Sequence, residues 1–502
     1  MRVKIVFGLL VVLLAGLGFM LVTRERTPHQ TPLAPIASAS AAAAADSAAA
    51  PSGSASSSSS GSAAPPDAGP VKLMDRPLRV VALGWDLAAP AVLANGGTDP
   101  GTSSDFTAAG LDVRIHAVDA MSAVESALAR GGADKDGADI AVVPLCELVA
   151  SYERLRALAP EAFFVVGWSR GREALVSTQA ALPAPADRPA LGADAKGAVS
   201  MVGTGGDSAT FLGLYALDAN GTPPGAVRLV TPGGKPDDPP LAAIDRDAAP
   251  EGSARHSILL TTADASRLIP FVAVAQHGLL DKNGKALAAW ARAWLEGARK
   301  LNEDPAAAAR QIAGATGAPE PIALLKRLGE ITPASLGDNV RVVGLSGRGA
   351  LSLETLFQKT WQIWRGAGVL ATPAPEPAPI HGAVIAALAR ANPALVAPAA
   401  PPRAPSKATS SADPRSAVIT YRQLDGKLDE PALLDAAGLF ADVFERSTLR
   451  VAVMKGSAVD AAATKKLIDG VEQRFDVTPG RLVAAKKGRP SVAGSIEILP
   501  AP

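Results

Sequence analysis

The chain is 502 residues long, more than one ordinary domain, and its 49 Lys and Arg against 48 Asp and Glu leave a net charge of +1. That balance offers no basic stripe for nucleic acid and no acidic tail, and aromatics at 4% leave the six Trp uninterleaved with Lys or Arg, unlike a base-stacking surface. The single cysteine, Cys146, excludes an intrachain disulfide, a Cys-rich zinc site and a lipidated cysteine after a leader, and five scattered His without H-E-x-x-H lend no support to a metal or other cofactor.

Arg2 and Lys4 precede an apolar run from Ile5 to Val22, and Thr23-Arg24-Glu25-Arg26 follows it. About 18 residues is the lower limit for spanning a bilayer and long for a signal-peptide core. With no small-x-small cleavage site close by, residues 1–26 are expected to form an uncleaved signal anchor, a single transmembrane helix with the rest of the chain exported. Residues 27–75 are rich in Ala, Ser and Pro and cannot bury enough apolar surface to offset their ordering entropy, so they read as a disordered tether.

Folded sequence begins with a strand at Leu78–Leu83 that ends in Gly84-Trp85-Asp86. A helix or loop follows, then a strand at Leu111–Val118, a helix at Ser122–Gly132, a strand at Ala138–Leu145 and another at Phe163–Trp168. This alternation predicts a mostly parallel, three-layer α/β sheet. Ligands of such sheets bind beyond the C-terminal strand ends, which puts Trp85, Leu145-Cys146 and Trp168-Ser169-Arg170 on one edge. Cys146 itself has the setting of a buried small hydrophobe.

From about Pro183 to Asp247 the sequence reads as a second α/β lobe inserted into the first. Its centre, Gly197 to Gly221, is a short strand at Ala198–Val202, a Gly/Thr/Gly/Gly turn, and a helix opening at Asp207-Ser208-Ala209-Thr210. Glycines allow a tight turn and close approach, hydroxyls add donors, and first-turn N–H groups lack intrahelical partners, so Thr204, Gly206, Asp207, Ser208 and Thr210 suit an oxyanion or a polar head group. This is binding chemistry, with no catalytic residue in it. GTGGDSAT lacks the Lys of a P-loop and the third glycine of a dinucleotide fingerprint.

A strand at His256–Thr262 and an apolar run at Leu268–Ala275 lead back, followed by helices at Ala286–Asp304, 305–317 and Ser352–Gly368. Trp290 and Trp294 are four apart and Trp361 and Trp364 three apart, spacings that mark packed helix faces. Residues 371–415 form a Pro/Ala-rich linker around one helical island, and residues 416–502 read as a small α+β domain in β-α-β-α-β order.

Residues 76–370 resemble the periplasmic solute-binding proteins of the nitrate, sulfonate and thiamine-precursor class, which serve ABC importers. The resemblance lies in LRVVALGW, in the stretches Phe106 to Val113 and Ala123 to Gly131, and in DIAVV, GWSRGREALV, GTGGDSATFL and GDNVRVVGL, in that order. It implies a type II-like pair of α/β lobes, with lobe 2 at about 180–255, that close without catalysis on a small anionic or polar solute. Trp85, Cys146, Ser169 and Arg170 would line one side, and Thr204 to Thr210 the other. Arg170 would clamp an acidic group bidentately, although it could instead pair with Glu173, and Trp85 could be core. Asp207 would repel an anion unless it only caps the helix.

The tail, from about Ala417 to Leu499, is similar to OmpA-like peptidoglycan-associating domains through VITYRQLDGKLDEPALLDAAGLF, LRVAVMKGS and FDVTPGRLVAAKKGRP. Where that family has G-H-T-D, this chain has Gly456-Ser457-Ala458-Val459, and the family's clamping Arg is replaced near Lys465-Lys466. The likeness therefore implies a retained fold with weakened or lost wall binding. Together the two matches resemble the architecture labelled phosphate ABC transporter substrate-binding/OmpA family. Its implied partners are a small solute, an importer permease and the inner membrane, on the periplasmic side. Two rival readings are a non-catalytic envelope scaffold and a thiamine-precursor-type enzyme, the latter lacking its Cys cluster and reactive His here.

Overall fold

A computed structural model describes residues 71–177, 199–231, 241–245, 257–347, 349–396, 417, 419–424, 428–487 and 492–499. In chain order its elements begin with β1 (Leu78–Leu83), α1 (Trp85–Asn95), α2 (Asp105–Ala108), β2 (Val113–Val118), α3 (Met121–Arg130), β3 (Ile140–Pro144), α4 (Leu145–Leu155), β4 (Pro160–Ser169) and β5 (Glu173–Ser177). Next are β6 (Val199–Val202), α5 (Ser208–Ala219), β7 (Val227–Val230), β8 (Leu241–Asp245), β9 (Ser257–Thr261) and β10 (Pro270–Gln276). Then come α6 (His277–Glu303), α7 (Pro305–Ala313), α8 (Pro321–Leu328), β11 (Ile331–Pro333), α9 (Leu336–Val342), α10 (Leu353–Gly366), α11 (Ala383–Ala391) and α12 (Pro393–Val396). The tail holds β12 (Ile419–Leu424), α13 (Glu430–Val443), β13 (Leu449–Lys455), β14 (Ala458–Val459), α14 (Ala461–Phe475), β15 (Leu482–Ala484) and β16 (Val492–Ile498).

The first sheet has the order β11-β4-β10-β3-β1-β2, and the second β7-β6-β8-β5-β9. Between them the chain crosses at Arg170–Arg172, from β4 into β5, and again from β9 into β10. These are the two α/β lobes joined by crossovers that the resemblance implies. The first sheet is mixed: β10 lies antiparallel to both β3 and β4, because it re-enters from the second lobe against the direction of its neighbours. The second sheet runs from Glu173 to Thr261, wider than the expected 180–255, since both crossing strands belong to it.

Helix α1, WDLAAPAVLAN, is apolar on every side, and accordingly all of it after Trp85 is buried between the first sheet and α6. The two helices approach closely at Gly297, where a Cβ would stand 1.9 Å from the Pro90 carbonyl oxygen. Trp290 and Trp294, with ring centroids 5.0 Å apart, fill the core of this lobe, and Trp361 and Trp364 of α10 are equally buried. The expected turn at Leu145-Cys146 is instead the start of the eleven-residue helix α4, whose Leu145, Leu148, Val149, Tyr152 and Leu155 recur at helical spacing and are buried. Strands β8 and β11 and helix α8 were not foreseen from sequence, and α6 begins nine residues before the predicted Ala286.

Residues 371–396, read as the start of a linker, lie along the first lobe. Glu153 accepts hydrogen bonds from the backbone N–H groups of Ala371 and Thr372 and from the Thr372 hydroxyl, the Trp361 indole N–H donates to the Thr372 carbonyl, and Val384, Ile385 and Leu388 of α11 are buried. The remainder of that linker, residues 397–415, is outside the described residues.

The tail sheet is ordered β12-β16-β13-β14, with β15 parallel to β13; the short strands β14 and β15 are two more than the expected β-α-β-α-β order contains. It packs on both lobes. The Asn220 side chain beyond α5 accepts from Thr420 N–H at 2.9 Å, and the buried Asp442 carboxylate accepts from Ala350 and Leu351 N–H at 2.7 and 3.0 Å and from Arg341 at 2.5 Å. The tail also grips the second crossover: Arg267 donates to Glu445 at 2.8 Å, and its backbone N–H donates to the Val443 carbonyl at 3.1 Å. Among the described residues no helix is long and apolar enough to cross a membrane; the expected anchor, residues 1–26, lies outside them.

Candidate functional site

Strands β1 and β2 end side by side at Leu83 and Val118, and the chain then turns through Gly84 into α1. Gly84 has φ +101, and a Cβ there would meet the Asp86 carboxylate at 2.4 Å, so the turn requires glycine. The turn sets Trp85 and Asp86 at the mouth of a hollow of about 460 Å³, which Asp119, Arg172, Pro319 and Arg327 help to line. Trp85 is half-buried, forming one wall while packing on the core behind it.

Charges cross this hollow in alternation. Arg172 donates to Asp86 at 2.8 Å and lies 3.6 Å from Asp245, which in turn accepts from Arg327 at 3.1 and 3.2 Å; Arg327 reaches Glu330 at 3.4 Å. Asp245 ends β8 of the second lobe, whereas Asp86 and Arg327 belong to the first, so the ladder spans both lobes. Burial alone would lower the Arg172 guanidinium, but Asp86, Glu173, Asp245 and Glu147 together raise it above its ordinary value.

Ser169 is fully buried behind the hollow, inside a polar knot at the crossovers. Its hydroxyl bonds to Glu173 and lies 3.0 Å from the Thr262 hydroxyl, which accepts from Gly171 N–H at 2.8 Å and donates to Glu173 at 3.0 Å. Burial pushes the Glu173 carboxyl up, and Arg172 and the two hydroxyls offset only part of the effect. Arg170 does not pair with Glu173. Its side chain is exposed and lines a second hollow of about 210 Å³ with Leu87, Pro90 and Trp294.

At the start of α5 the expected donors are taken by the chain itself. Asp207 caps the helix, accepting from Ala209 N–H at 3.0 Å, while Ser208 donates to Glu147 at 2.7 Å and the Thr210 hydroxyl accepts from Thr204 N–H at 2.9 Å. Thr204 is exposed, Thr210 is fully buried, and Gly206 turns the chain at φ +94. Cys146 Sγ lies 3.3 Å from the Ser208 hydroxyl. Burial and the adjacent Glu147 raise the thiol well above its ordinary value, so the thiolate is disfavoured. Burial likewise pushes the Glu147 carboxyl from 4.5 to about 7, with Ser208 opposing.

Of the residues singled out from sequence, Trp85 faces the large hollow, Ser169 sits in the crossover knot, and Cys146, Asp207 and Ser208 meet around Glu147. Arg172, Glu147, Asp245 and Arg327 were not picked out. Strand alternation treats Arg170 and Arg172 as equivalent, but Gly171 between them has φ +78 and breaks the alternation, and that glycine was the available signal.

The fold and site so described are those of a two-lobed α/β protein with a polar hollow at its strand ends. No family model matches the chain, and no curated protein matches it in sequence. Among solved structures it is similar to the periplasmic aliphatic sulphonate binding protein SsuA from Escherichia coli, at 15% identity over 58% of this chain and 88% of that one, TM-score 0.40. It is also similar to the periplasmic nitrate-binding protein NrtA from Synechocystis, at 14% identity over 65% and 92%, TM-score 0.37. A third is a putative sulfonate ABC transporter periplasmic binding protein from Methylobacillus flagellatus, at 12% over 64% and 96%, TM-score 0.40. These neighbours are periplasmic solute-binding proteins.

Proposed function

We propose that this chain is a solute-binding protein whose two lobes close on a small polar solute in the hollow beside Trp85. The observation that carries the reading is the hollow itself: about 460 Å³ at the C-terminal ends of β1 and β2, with one aromatic wall and charges of both signs, Asp86 and Asp119 against Arg172 and Arg327. A solute bearing both an amine and an acidic group suits this lining better than a simple anion. An anion at α5 would meet Asp207 and Glu147, whereas an acidic group near Arg172 and Arg327 could replace Asp245 while an amine faces Asp86 or Asp119. In this reading Arg172 takes the role expected of Arg170, and Ser169 and Cys146 support the site from behind.

The leader and the ordered motifs support a periplasm-facing protein held at the inner membrane by residues 1–26, delivering its solute to an ABC importer permease. The tail is read as a degenerate OmpA-like domain with little affinity for peptidoglycan: Val459 ends a two-residue strand, and Lys465 is engaged by Asp469 at 2.6 Å. A thermal-shift screen of the purified chain against amino acids, other zwitterions, sulfonates and phosphate tests the reading. A ligand at one hundred times its dissociation constant adds ~2.7 kcal/mol. A zwitterion that stabilises the wild type and fails with Arg172→Ala supports it; silence from a folded chain would reject it. Silence would favour the envelope-scaffold reading, whose specific support is that Asp207, Glu147 and Asp245 already engage the groups a solute would use.

A further inference from the structure

The histidines are scattered in sequence but not in space. Of the three described, His116, His277 and His381, two meet at one carboxylate. Glu161 lies at the start of β4; one of its oxygens is 3.0 Å from His277 Nδ1, the other is 3.0 Å from His381 Nδ1, and the three ligand atoms all lie within 4.8 Å of one another. We propose that Glu161, His277 and His381 form a binding site for a divalent transition-metal ion of the zinc class, with water completing the shell.

Three features support the assignment. First, the backbone fixes all three positions independently of any ion: His277 N–H donates to the Ala159 carbonyl at 3.0 Å, His381 N–H to the Ala162 carbonyl at 2.8 Å, and Ala162 N–H to the Pro379 carbonyl at 2.9 Å. Second, His277 stands between two carboxylates, Glu161 at Nδ1 and Asp281 at Nε2, the latter 3.1 Å away. A neutral imidazole has one N–H and can satisfy only one of them. In the tautomer whose Nε2–H donates to Asp281, the Nδ1 lone pair faces Glu161 and is available to a cation held between them. An outer carboxylate orienting a ligating His is the usual supporting arrangement of such metals. Third, two imidazoles and one carboxylate match the donor preference of zinc and its neighbours. Ligand bonds of about 2.0–2.1 Å in a tetrahedral shell put donors about 3.3 Å apart, close to the 3.0 Å between each imidazole Nδ1 and the Glu161 oxygen it faces, the three ligand atoms lying within 4.8 Å of one another.

The His277 side chain is 53% exposed, so an ion has an entry path. The site lies at the N-terminal end of β4 and the C-terminal end of β10, the edge of the first sheet opposite the hollow beside Trp85, and is independent of the solute reading. A bound ion would fasten the 371–382 segment, through His381, to the lobe.

The test is equilibrium dialysis of the untagged full chain against Zn2+, with Co2+ absorption as a second readout. The expected result is one ion per chain, tetrahedral Co2+ bands, loss of both signals in His277→Ala and in His381→Ala, and 10- to 100-fold weaker binding in Asp281→Asn. Circular dichroism confirms that the variants fold, and the exposed His277 is the safer substitution. No stoichiometric binding by the folded wild type, or binding that survives both His substitutions, would overturn the proposal.

Discussion

Glu147 is the residue at which the environment at the start of α5 is easiest to measure. Its carboxyl holds a proton more tightly folded than unfolded, so between about 4.5 and about 7 the folded chain carries a proton that unfolding releases. The Glu147 contribution therefore favours the folded state below that window and is lost as pH rises through it, by on the order of 3 kcal/mol. Glu147→Gln keeps an acceptor for Ser208 without the ionisation. Urea midpoints at about pH 5 and about pH 8 should show the variant gaining on the wild type as pH rises. An unchanged difference would mean that Glu147 titrates normally.

Among elements, the α1–α6 crossing has the least room. Gly297→Ala places a methyl against the Pro90 carbonyl and forces the helices apart, a destabilisation of about 1–3 kcal/mol read in the same denaturation experiment. A neutral result would mean that α1 slides freely. Most of these elements were legible in the sequence, because buried strands such as IAVVP and amphipathic helices such as that of Trp361 and Trp364 carry their own periodicity. The three-residue β11 and β8, whose LAAID carries a single β-branched residue, were not, since both owe their existence to pairing with β4, β5 and β6. The candidate site was half legible. Trp85 and the α5 turn announce themselves through glycine and strand-end position, whereas the Asp86–Arg172–Asp245–Arg327 ladder joins residues that only the folded lobes bring together.

At the scale of the whole molecule, the tail is a brace across both lobes and the crossover between β9 and β10. Asp442 is its keystone, a buried carboxylate holding two backbone N–H groups and Arg341. Asp442→Ala leaves those donors unpaired and should cost about 2 kcal/mol or more, with faster amide exchange at Ala350, Leu351 and α13. Exchange unchanged there would show that the tail docks by its apolar face alone. On the solute-binding reading proposed above, lobe closure would be limited by the Arg267 contacts, and the tail would thereby be tied to solute capture.

The central claim, a solute bound beside Trp85, has a direct optical test. The other five tryptophans, Trp168, Trp290, Trp294, Trp361 and Trp364, are no more than 2% exposed, so a solute entering the hollow should perturb Trp85 above all. The measurement is intrinsic fluorescence during titration with a thermal-shift hit. The account predicts a saturable emission change that disappears in Trp85→Phe and is lost with Arg172→Ala. A hit that binds saturably, leaves the emission unaltered and survives Arg172→Ala would contradict it.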